Sequence, residues 1–291
     1  MIIRCSDMRF RTEIEPISTS LSISHDTPVL LLGSCFTDEV GQRLEMDGFN
    51  VVRNPLGPLY NPASLRRCIE MALDAEVPPM IVEGPRGFHD LDFASRFSGP
   101  DKDALCAEVR DSLDKIKAII TESPVAVITL GSAYCYELNS IGLPVGNCHK
   151  LPDSLFTRTL LDVDSVSVDI AAIGRMLLGA GCRAVIFTVS PIRHLAYGLH
   201  GNTIGKSVLH VALHNVLSCA SEGLYYFPSY EIVMDDLRDY RFYASDMKHP
   251  SAVAVDYIYD IFSKTYFSRQ TQAAAAEARR RFLAANHRQI L

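Results

Sequence analysis

Three runs of the chain consist almost entirely of apolar residues, and each ends at a glycine or at a serine–proline pair. They are VLLLG at 29–33, VAVITLG at 125–131 and AVIFTVSP at 184–191. A strand that is apolar along its whole length is covered on both faces, which is typical of parallel strands between helices. Helical patterns separate the runs, so the sequence predicts an α/β fold: a three-layer α/β/α sandwich with a mostly parallel central sheet.

The length and composition favour one large domain. The chain has 291 residues, of which 48% are hydrophobic, and this is enough for a well-packed core. We expect a single α/β domain over residues 1–266. Proline and glycine recur at about 77–101, which predicts an inserted loop or hairpin there. The alanine-rich, basic stretch 267–291 predicts a C-terminal helical extension.

The net negative charge of the chain limits the kinds of partner that it can bind. The formal net charge is −6, whereas contacts to nucleic-acid phosphates need clustered lysine and arginine. The N-terminal residues lack the apolar stretch of a signal peptide, and no later segment has about 18 uninterrupted apolar residues. The sequence therefore predicts a cytoplasmic protein with a small-molecule or carbohydrate partner and with neither nucleic acid nor membrane. It leaves the oligomeric state open.

Cysteine and histidine spacing gives no indication of a metal. The eight cysteines include no C-x-x-C pair, which argues against a zinc ribbon and against a disulfide framework. Histidines 149, 194 and 200 are irregularly spaced and have no paired carboxylate. We expect no metal and no cofactor.

Two candidate nucleophiles, Ser34 and Cys35, directly follow the first apolar run. That turn lies at the carboxyl edge of the sheet, where open α/β folds bind ligands. A serine needs a base, and His249, three residues after Asp246, is the histidine best placed to act as one. This spacing lets the carboxylate accept Nδ1–H and stabilise the imidazolium. Ser34 as a simple helix N-cap, and Cys35 as the nucleophile, are the alternatives.

Seven segments in this order resemble the GSCFA-domain family of bacterial proteins, within the SGNH or GDSL hydrolase superfamily. They are FRTEI, LLLGSCFTDEVGQRL, NPLGPLYNP, ITLGSAYCYE, NCHKLP, FTVSPIRHLAYGLHGN and FPSYEIVMDDLRDYRFYASDMKHPS, between about residues 9 and 266. The resemblance implies a flavodoxin-like sandwich that hydrolyses carboxylic esters. It implies Ser34 as the nucleophile, His249 as the general base and Asp246 as the residue that orients His249.

The resemblance also implies an oxyanion hole. Its donors are the backbone amides of Ser34 and Gly57, together with an asparagine side chain after the third strand block. This chain has GSAY at 131–134, where that asparagine is usual. Ser132 and Asn61 are therefore the alternatives for the third donor.

Four residues on loops beside the expected cleft are predicted to position substrate: Asn147, His149, Arg193 and His194. Otherwise they brace the loops. By resemblance, the expected activity is that of a carbohydrate O-acyl esterase, with acetyl the foremost acyl group. The alternatives are an acyltransferase that uses the same acyl-enzyme, and a carbohydrate- or nucleotide-binding protein without catalysis. The missing asparagine and Ala94, where the family usually has histidine, favour the non-catalytic alternative.

Overall fold

The structure, a computed structural model, describes residues 11–219 and 222–287. The strands are β1 (Val29–Gly33), β2 (Val51–Arg53), β3 (Ile81–Gly84), β4 (Gly87–Asp90), β5 (Ser98–Gly99), β6 (Val125–Leu130), β7 (Tyr134–Leu138), β8 (Leu143–Val145), β9 (Phe156–Leu160), β10 (Ala184–Val189) and β11 (Leu224–Tyr226). The α-helices are α1 (Cys35–Met46), α2 (Pro62–Leu73), α3 (Lys102–Ile120), α4 (Val163–Ala180), α5 (Gly198–Cys219), α6 (Ser229–Glu231), α7 (Ala252–Tyr266) and α8 (Arg269–His287).

A five-stranded parallel sheet lies at the centre, in the order β2-β1-β6-β10-β11. Numbered within the sheet, these strands follow the order 2-1-3-4-5, which is the flavodoxin-like order. The strand order reverses between β1 and β6, and ligands of such sheets bind at the carboxyl ends of the strands at that point. The predicted mostly parallel central sheet is confirmed.

Alternate residues of the central strands enter opposite hydrophobic cores. Leu30 and Leu32 of β1 belong to the core that contains residues of α2, α3, α4 and α5. Val29 and Leu31 belong to the core that contains residues of α1, α7 and α8. Successive side chains of a strand point to opposite faces, so each face of the sheet has its own layer of helices. The predicted three-layer sandwich is confirmed.

Two small antiparallel sheets accompany the central one. Strands β3, β4 and β5 form the first, within the region where the sequence predicts a loop or hairpin. Strands β8, β7 and β9 form the second, over 134–160, and the sequence pattern does not predict it. The reason is that its strands have only three to five residues each and include charged ones, Glu137 and Arg158, so they give no long apolar run.

The two small sheets share a third hydrophobic cluster, which we call the wall core. It contains Met80, Leu91, Leu138, Val145, Leu151 and Phe156. The backbone also joins the sheets, because the amides of Gly146 and Asn147 both donate to the carbonyl of Leu91, at 2.8 and 3.1 Å. The wall core is distinct from the two cores that flank the central sheet.

The C-terminal helix α8 packs on the α1 side of the sandwich. Ala275 is buried in that core, and Arg279 Nε donates to Asp47 Oδ1 at 2.5 Å. Tyr259 Oη donates to the other oxygen of Asp47 at 2.7 Å. Residues 288–291 of the predicted extension lie outside the described residues. Within the described ranges, no helix combines the length and apolar composition needed to cross a membrane.

The end of β1 requires a glycine. Gly33 has φ +141°, and a Cβ at this position would overlap the backbone carbonyl of Thr129 on β6. Because this atom is absent, β1 and β6 stay paired up to Gly33 and Thr129. The next amide, that of Ser34, donates to the same Thr129 carbonyl at 3.2 Å.

We expect Gly33→Ala to lower the free energy of unfolding by about 3 kcal/mol or more, because the clash is with backbone and the φ angle is strained for alanine. Urea denaturation of wild type and variant measures this difference. Gly179→Ala is the matched control. An added Cβ there meets nothing within 4 Å, and alanine is favoured over glycine in helices by up to about 1 kcal/mol. A Gly33→Ala protein as stable as wild type would contradict the prediction.

Candidate active site

Ser34 lies in the turn between β1 and α1. It is the N-cap of α1, and its Oγ accepts the amide of Phe36 at 3.4 Å. Its side chain is fully buried. The N-terminus of a helix favours negative charge, so the same placement that caps the helix would stabilise an ionised or partly ionised Ser34 oxygen.

Asp246 and His249 form a close pair. His249 Nδ1 and Asp246 Oδ2 are 2.5 Å apart. Asp246 Oδ1 accepts the amides of Lys248 and His249 at 2.9 and 3.0 Å. The hydrogen bonds from the His249 ring and from the two amides hold the pKa of Asp246 well below its usual range. The carboxylate is therefore ionised at neutral pH, and it favours the tautomer in which Nε2 of His249 accepts a proton.

The loop that contains this pair is attached to the loop after β10. Arg193 donates its amide to the carbonyl of Lys248 at 3.2 Å. Within the His249 loop, Ala244 donates its amide to the carbonyl of His249 at 2.7 Å. Met247, between the paired residues, has φ 58°. These contacts place the His249 loop beside the carboxyl edge of the central sheet.

A cleft of about 780 Å³ opens at this edge. Residues from the loop after β2, from the turn after β6 and from the β8-β7-β9 sheet line it, and the loop after β10 closes it. Its aromatic lining residues are Tyr60, Tyr134, Tyr136, Phe156 and Tyr197. The cleft therefore lies between the central sheet and the second small sheet.

Cys35, Tyr60 and His194 lie between the turn at Ser34 and the His249 loop. Tyr60 Oη is 3.0 Å from Cys35 Sγ, and its ring meets the ring of His194 edge-on at 5.2 Å. Burial lowers the pKa of His194 to about 4, and nearby Lys206 and His249 shift it in the same direction. His194 is therefore neutral at pH 7, and the influence of His249 on it means that the two histidines are close.

The amide donors expected for an oxyanion hole already have acceptors. The amide of Ser34 donates to Thr129, that of Gly57 to Asn54 at 2.8 Å, and that of Ser132 to Tyr60 at 2.8 Å. Ser132 Oγ accepts the amide of Tyr134 at 3.0 Å.

Asn61 differs from these donors. Its Oδ1 caps α2 by accepting the amide of Ser64 at 2.8 Å. Its Nδ2 has no acceptor among the described residues, and the residue lines the cleft.

The four predicted substrate-positioning residues do not lie together. Asn147 and His194 line the cleft. His149 is buried, and its Nε2 is bonded to the carbonyl of Asp90 at 2.6 Å, so it braces the loop between β8 and β9. Arg193 lies outside the cleft, where its guanidinium stacks on the ring of Tyr243 at 4.6 Å.

Serine and histidine are not joined directly in the free protein. Among the residues that the structure describes, no hydrogen bond connects Ser34 Oγ with His249; Ser34 Oγ instead accepts the amide of Phe36. His249 is half exposed, with 48% of its side chain accessible. In the described ranges, no three His, Cys, Asp or Glu side chains converge as a metal site requires.

A buried lysine lies beneath the site. Lys206 of α5 is buried, and its Nζ donates to the carbonyls of Gly131 and Ser190 at 2.7 and 2.6 Å. These two residues follow β6 and β10, so the lysine joins the ends of neighbouring central strands. Burial lowers the pKa of Lys206 to about 7. A neutral amine has two N–H groups, one for each carbonyl, so the deprotonated side chain keeps both hydrogen bonds.

Sequence reasoning missed Lys206, Tyr60 and Arg158. The signal for Lys206 is its position on the buried face of α5, three residues before Leu209. Tyr60 lies in the segment NPLGPLYNP, in which the sequence analysis assigned a role, as oxyanion-hole donors, to Gly57 and Asn61 alone. Arg158 of β9 lines the cleft from the second small sheet, which the sequence pattern does not predict.

A family model described as the GSCFA family matches residues 28–262. The chain belongs to the GSCFA family. The match contains Ser34, Asp246 and His249 and confirms the resemblance given by the sequence segments. A comparison with curated proteins finds no match.

Two solved structures are similar to this GSCFA protein. The first is a carbohydrate esterase family 3 protein from Talaromyces cellulolyticus, with 10% identity and a TM-score of 0.40, over 82% of this chain and 95% of the other. The second is a carbohydrate esterase family 2 enzyme with a carbohydrate-binding domain, from Corynascus thermopiles (Myceliophthora fergusii). It has 12% identity and a TM-score of 0.43, over 90% of this chain and 68% of the other.

We expect Lys206 to make stability depend on pH. The unfolded side chain binds its proton up to a pKa near 10.5, whereas the folded one releases it above about 7. Between these values the unfolded state binds more protons, so stability rises with pH, by about 1 kcal/mol per pH unit. Urea denaturation of wild type and Lys206→Met at pH 7, 8 and 9 measures this contribution. A difference between the two proteins that stays constant with pH would mean that Lys206 remains charged.

Proposed function

We propose that this protein is a serine hydrolase of carboxylic esters, specifically a carbohydrate O-acyl esterase that removes acetyl groups. The observation that supports it most is the 2.5 Å pair between His249 Nδ1 and Asp246 Oδ2. A carboxylate on Nδ1 orients the ring and stabilises the imidazolium that forms when Nε2 takes a proton. The pair lies beside the carboxyl edge of the central sheet, where Ser34 follows β1.

In the proposed reaction, Nε2 of His249 takes the proton of Ser34 as Oγ attacks the ester carbonyl. The tetrahedral intermediate collapses to an acyl-serine, and His249 returns the proton to the departing sugar oxygen. Water then attacks the acyl-serine while His249 takes its proton, and His249 passes this proton to Ser34 Oγ as the bond to the acyl group breaks and the carboxylic acid leaves. Asp246 stays ionised throughout, in keeping with its low pKa.

Substrate binding has to bring Ser34 and His249 together. Catalytic hydrogen bonds are often long in the free enzyme and shorten in its complex. His249 is held by the 2.5 Å contact of its Nδ1 with Asp246, whereas Ser34 Oγ has a capping contact of 3.4 Å with the Phe36 amide. We expect Ser34 Oγ to turn from this contact towards Nε2 of His249 when substrate binds.

Asn61 is the best supported oxyanion donor. The amides of Ser34, Gly57 and Ser132 already donate to carbonyls, whereas Asn61 Nδ2 faces no acceptor and its residue lines the cleft. Its orientation is fixed, because Oδ1 caps α2. In the family pattern, the asparagine donor follows the third strand block. Asn61 supplies the same kind of N–H donor from the loop after β2.

The cleft lining favours a sugar. Tyr136 lines the cleft and is exposed, and aromatic faces with nearby polar groups suit the apolar faces and hydroxyls of a pyranose. The chain has no tryptophan, so tyrosine has to supply this surface.

We expect hydrolysis of p-nitrophenyl acetate to fall by about 10³-fold or more in Ser34→Ala and in His249→Ala, because each removes a group that acts in the transition state. Absorbance at saturating ester measures kcat. The matched control is Cys35→Ala, which changes the neighbouring residue and should keep most of the activity. Loss of activity in Cys35→Ala alone would make cysteine the nucleophile.

Asp246→Asn should lower kcat by about 10⁴-fold, because the amide favours the wrong histidine tautomer. Circular dichroism and the melting temperature of the variant check that the loop change leaves the fold intact. A folded Asp246→Asn protein with wild-type kcat would remove Asp246 from the mechanism.

A carbohydrate-binding protein without catalysis is the second candidate. The engaged amides and the buried Ser34 favour it. A fluorophosphonate, which labels activated serines, separates the two candidates. Labelling of the wild type and not of Ser34→Ala supports the esterase, whereas sugar binding without labelling or turnover supports the second candidate.

A further inference from the structure

The cleft contains charge that no group of the protein neutralises. Its charged lining residues are Lys150, Asp153 and Arg158. Among the described residues, neither cation has a carboxylate within ion-pair distance, whereas Arg66 and Arg67 nearby are both paired. The formal charge of the lining is thus +1, in a chain of net charge −6.

Arg158 lies against an aromatic ring of the cleft lining. Its Cζ lies 5.1 Å from the ring centroid of Tyr197, and Tyr197 stacks in turn on Tyr134 with an interplanar angle of 26°. A guanidinium has five N–H donors, which lie in its plane. Within the described ranges these N–H groups have no acceptor.

The stacked side chains belong to a rigid part of the cleft wall. Arg158 of β9 is paired in register with Tyr136 of β7. Tyr134, at the start of β7, donates its amide to Ser132 Oγ at 3.0 Å, next to the end of the central strand β6. Strand pairing therefore holds the backbone of Arg158 relative to the edge where Ser34 lies.

Asp153, the anionic residue of the cleft lining, lies near the thiol of Cys148. The Asp153 carboxylate is close enough to Cys148 to add to the effect of burial, which raises the pKa of that thiol to about 11. Arg158, in contrast, stacks on Tyr197. The cleft is therefore polarised, with a cation over the tyrosine stack and a carboxylate near Cys148.

We propose that the cleft binds an acylated sugar that carries an anionic substituent, a carboxylate or a phosphate, and that Arg158 binds this substituent through paired N–H groups. A planar guanidinium matches both anions with two parallel hydrogen bonds. Lys150 adds a second positive charge, and Tyr136, which is exposed and is paired across the strands with Arg158, receives the sugar ring. This proposal rests on the proposed function, because it names the substrate class of the same site.

Calorimetric titration of the wild-type protein with glucose, glucuronate and glucose 6-phosphate tests the proposal without any ester chemistry. We expect at least one anionic sugar to bind about tenfold or more tightly than glucose, because charge-assisted hydrogen bonds to arginine are strong. The two anionic sugars distinguish a carboxylate from a phosphate. Arg158→Gln should reduce the preference to about twofold or less, and Tyr136→Leu should weaken the binding of all three sugars.

Arg175→Gln is the matched control, because Arg175 lies on α4 outside the cleft and its loss changes the net charge equally. It should leave the preference intact. Equal affinity for the three sugars, no binding of any, or a preference that survives Arg158→Gln would overturn the proposal. Hydrolysis of p-nitrophenyl acetate in the same preparations separates the outcomes. Turnover without anion preference overturns this proposal alone, and anion preference without turnover overturns the esterase alone.

Discussion

The close backbone approach of β1 and β6 at Gly33 and Thr129 determines where the rest of the site lies. Without a Cβ at residue 33, the strands stay paired to their ends, and the amide of Ser34 reaches the Thr129 carbonyl. Helix α1 then starts at once, with Ser34 as its cap. The serine position thus follows from backbone packing between two central strands, together with the buried Asn54 side chain, whose Oδ1 accepts the Gly33 amide at 2.9 Å.

The loop after β2 covers the point where the strand order reverses. Leu59 donates its amide to the Gly33 carbonyl, and the carbonyl of Tyr60 accepts the amides of Gly131 and Ser132. The loop thus bridges the ends of β1 and β6 directly above the crevice in which flavodoxin-like sheets usually bind ligands. The open cleft consequently lies to one side, towards Asn61 and the second small sheet.

The sequence predicted the features that depend on the hydrophobic pattern of the strands and on the spacing between residues. Uninterrupted apolar runs predicted the parallel sheet and its layers, and the three-residue spacing predicted the contact between Asp246 and His249. It did not predict which amides remain free. The Gly57 amide closes a turn with Asn54, which the Asn-Pro-x-Gly pattern favours, whereas the Ser132 amide donates to Tyr60, which is distant in sequence. Lys206 was missed for a similar reason, since its two acceptors come from strands distant in sequence.

The wall core separates the packing of one side of the cleft from the packing of the sandwich. Met80, Leu138 and Phe156 bury their side chains with each other rather than in the cores that flank the central sheet. Substitutions on the exposed faces of β7 and β9 therefore change the cleft without disturbing the packing that holds Ser34. Relatives with this architecture have a way to diverge in the molecule they accept while the folding of the sandwich stays the same.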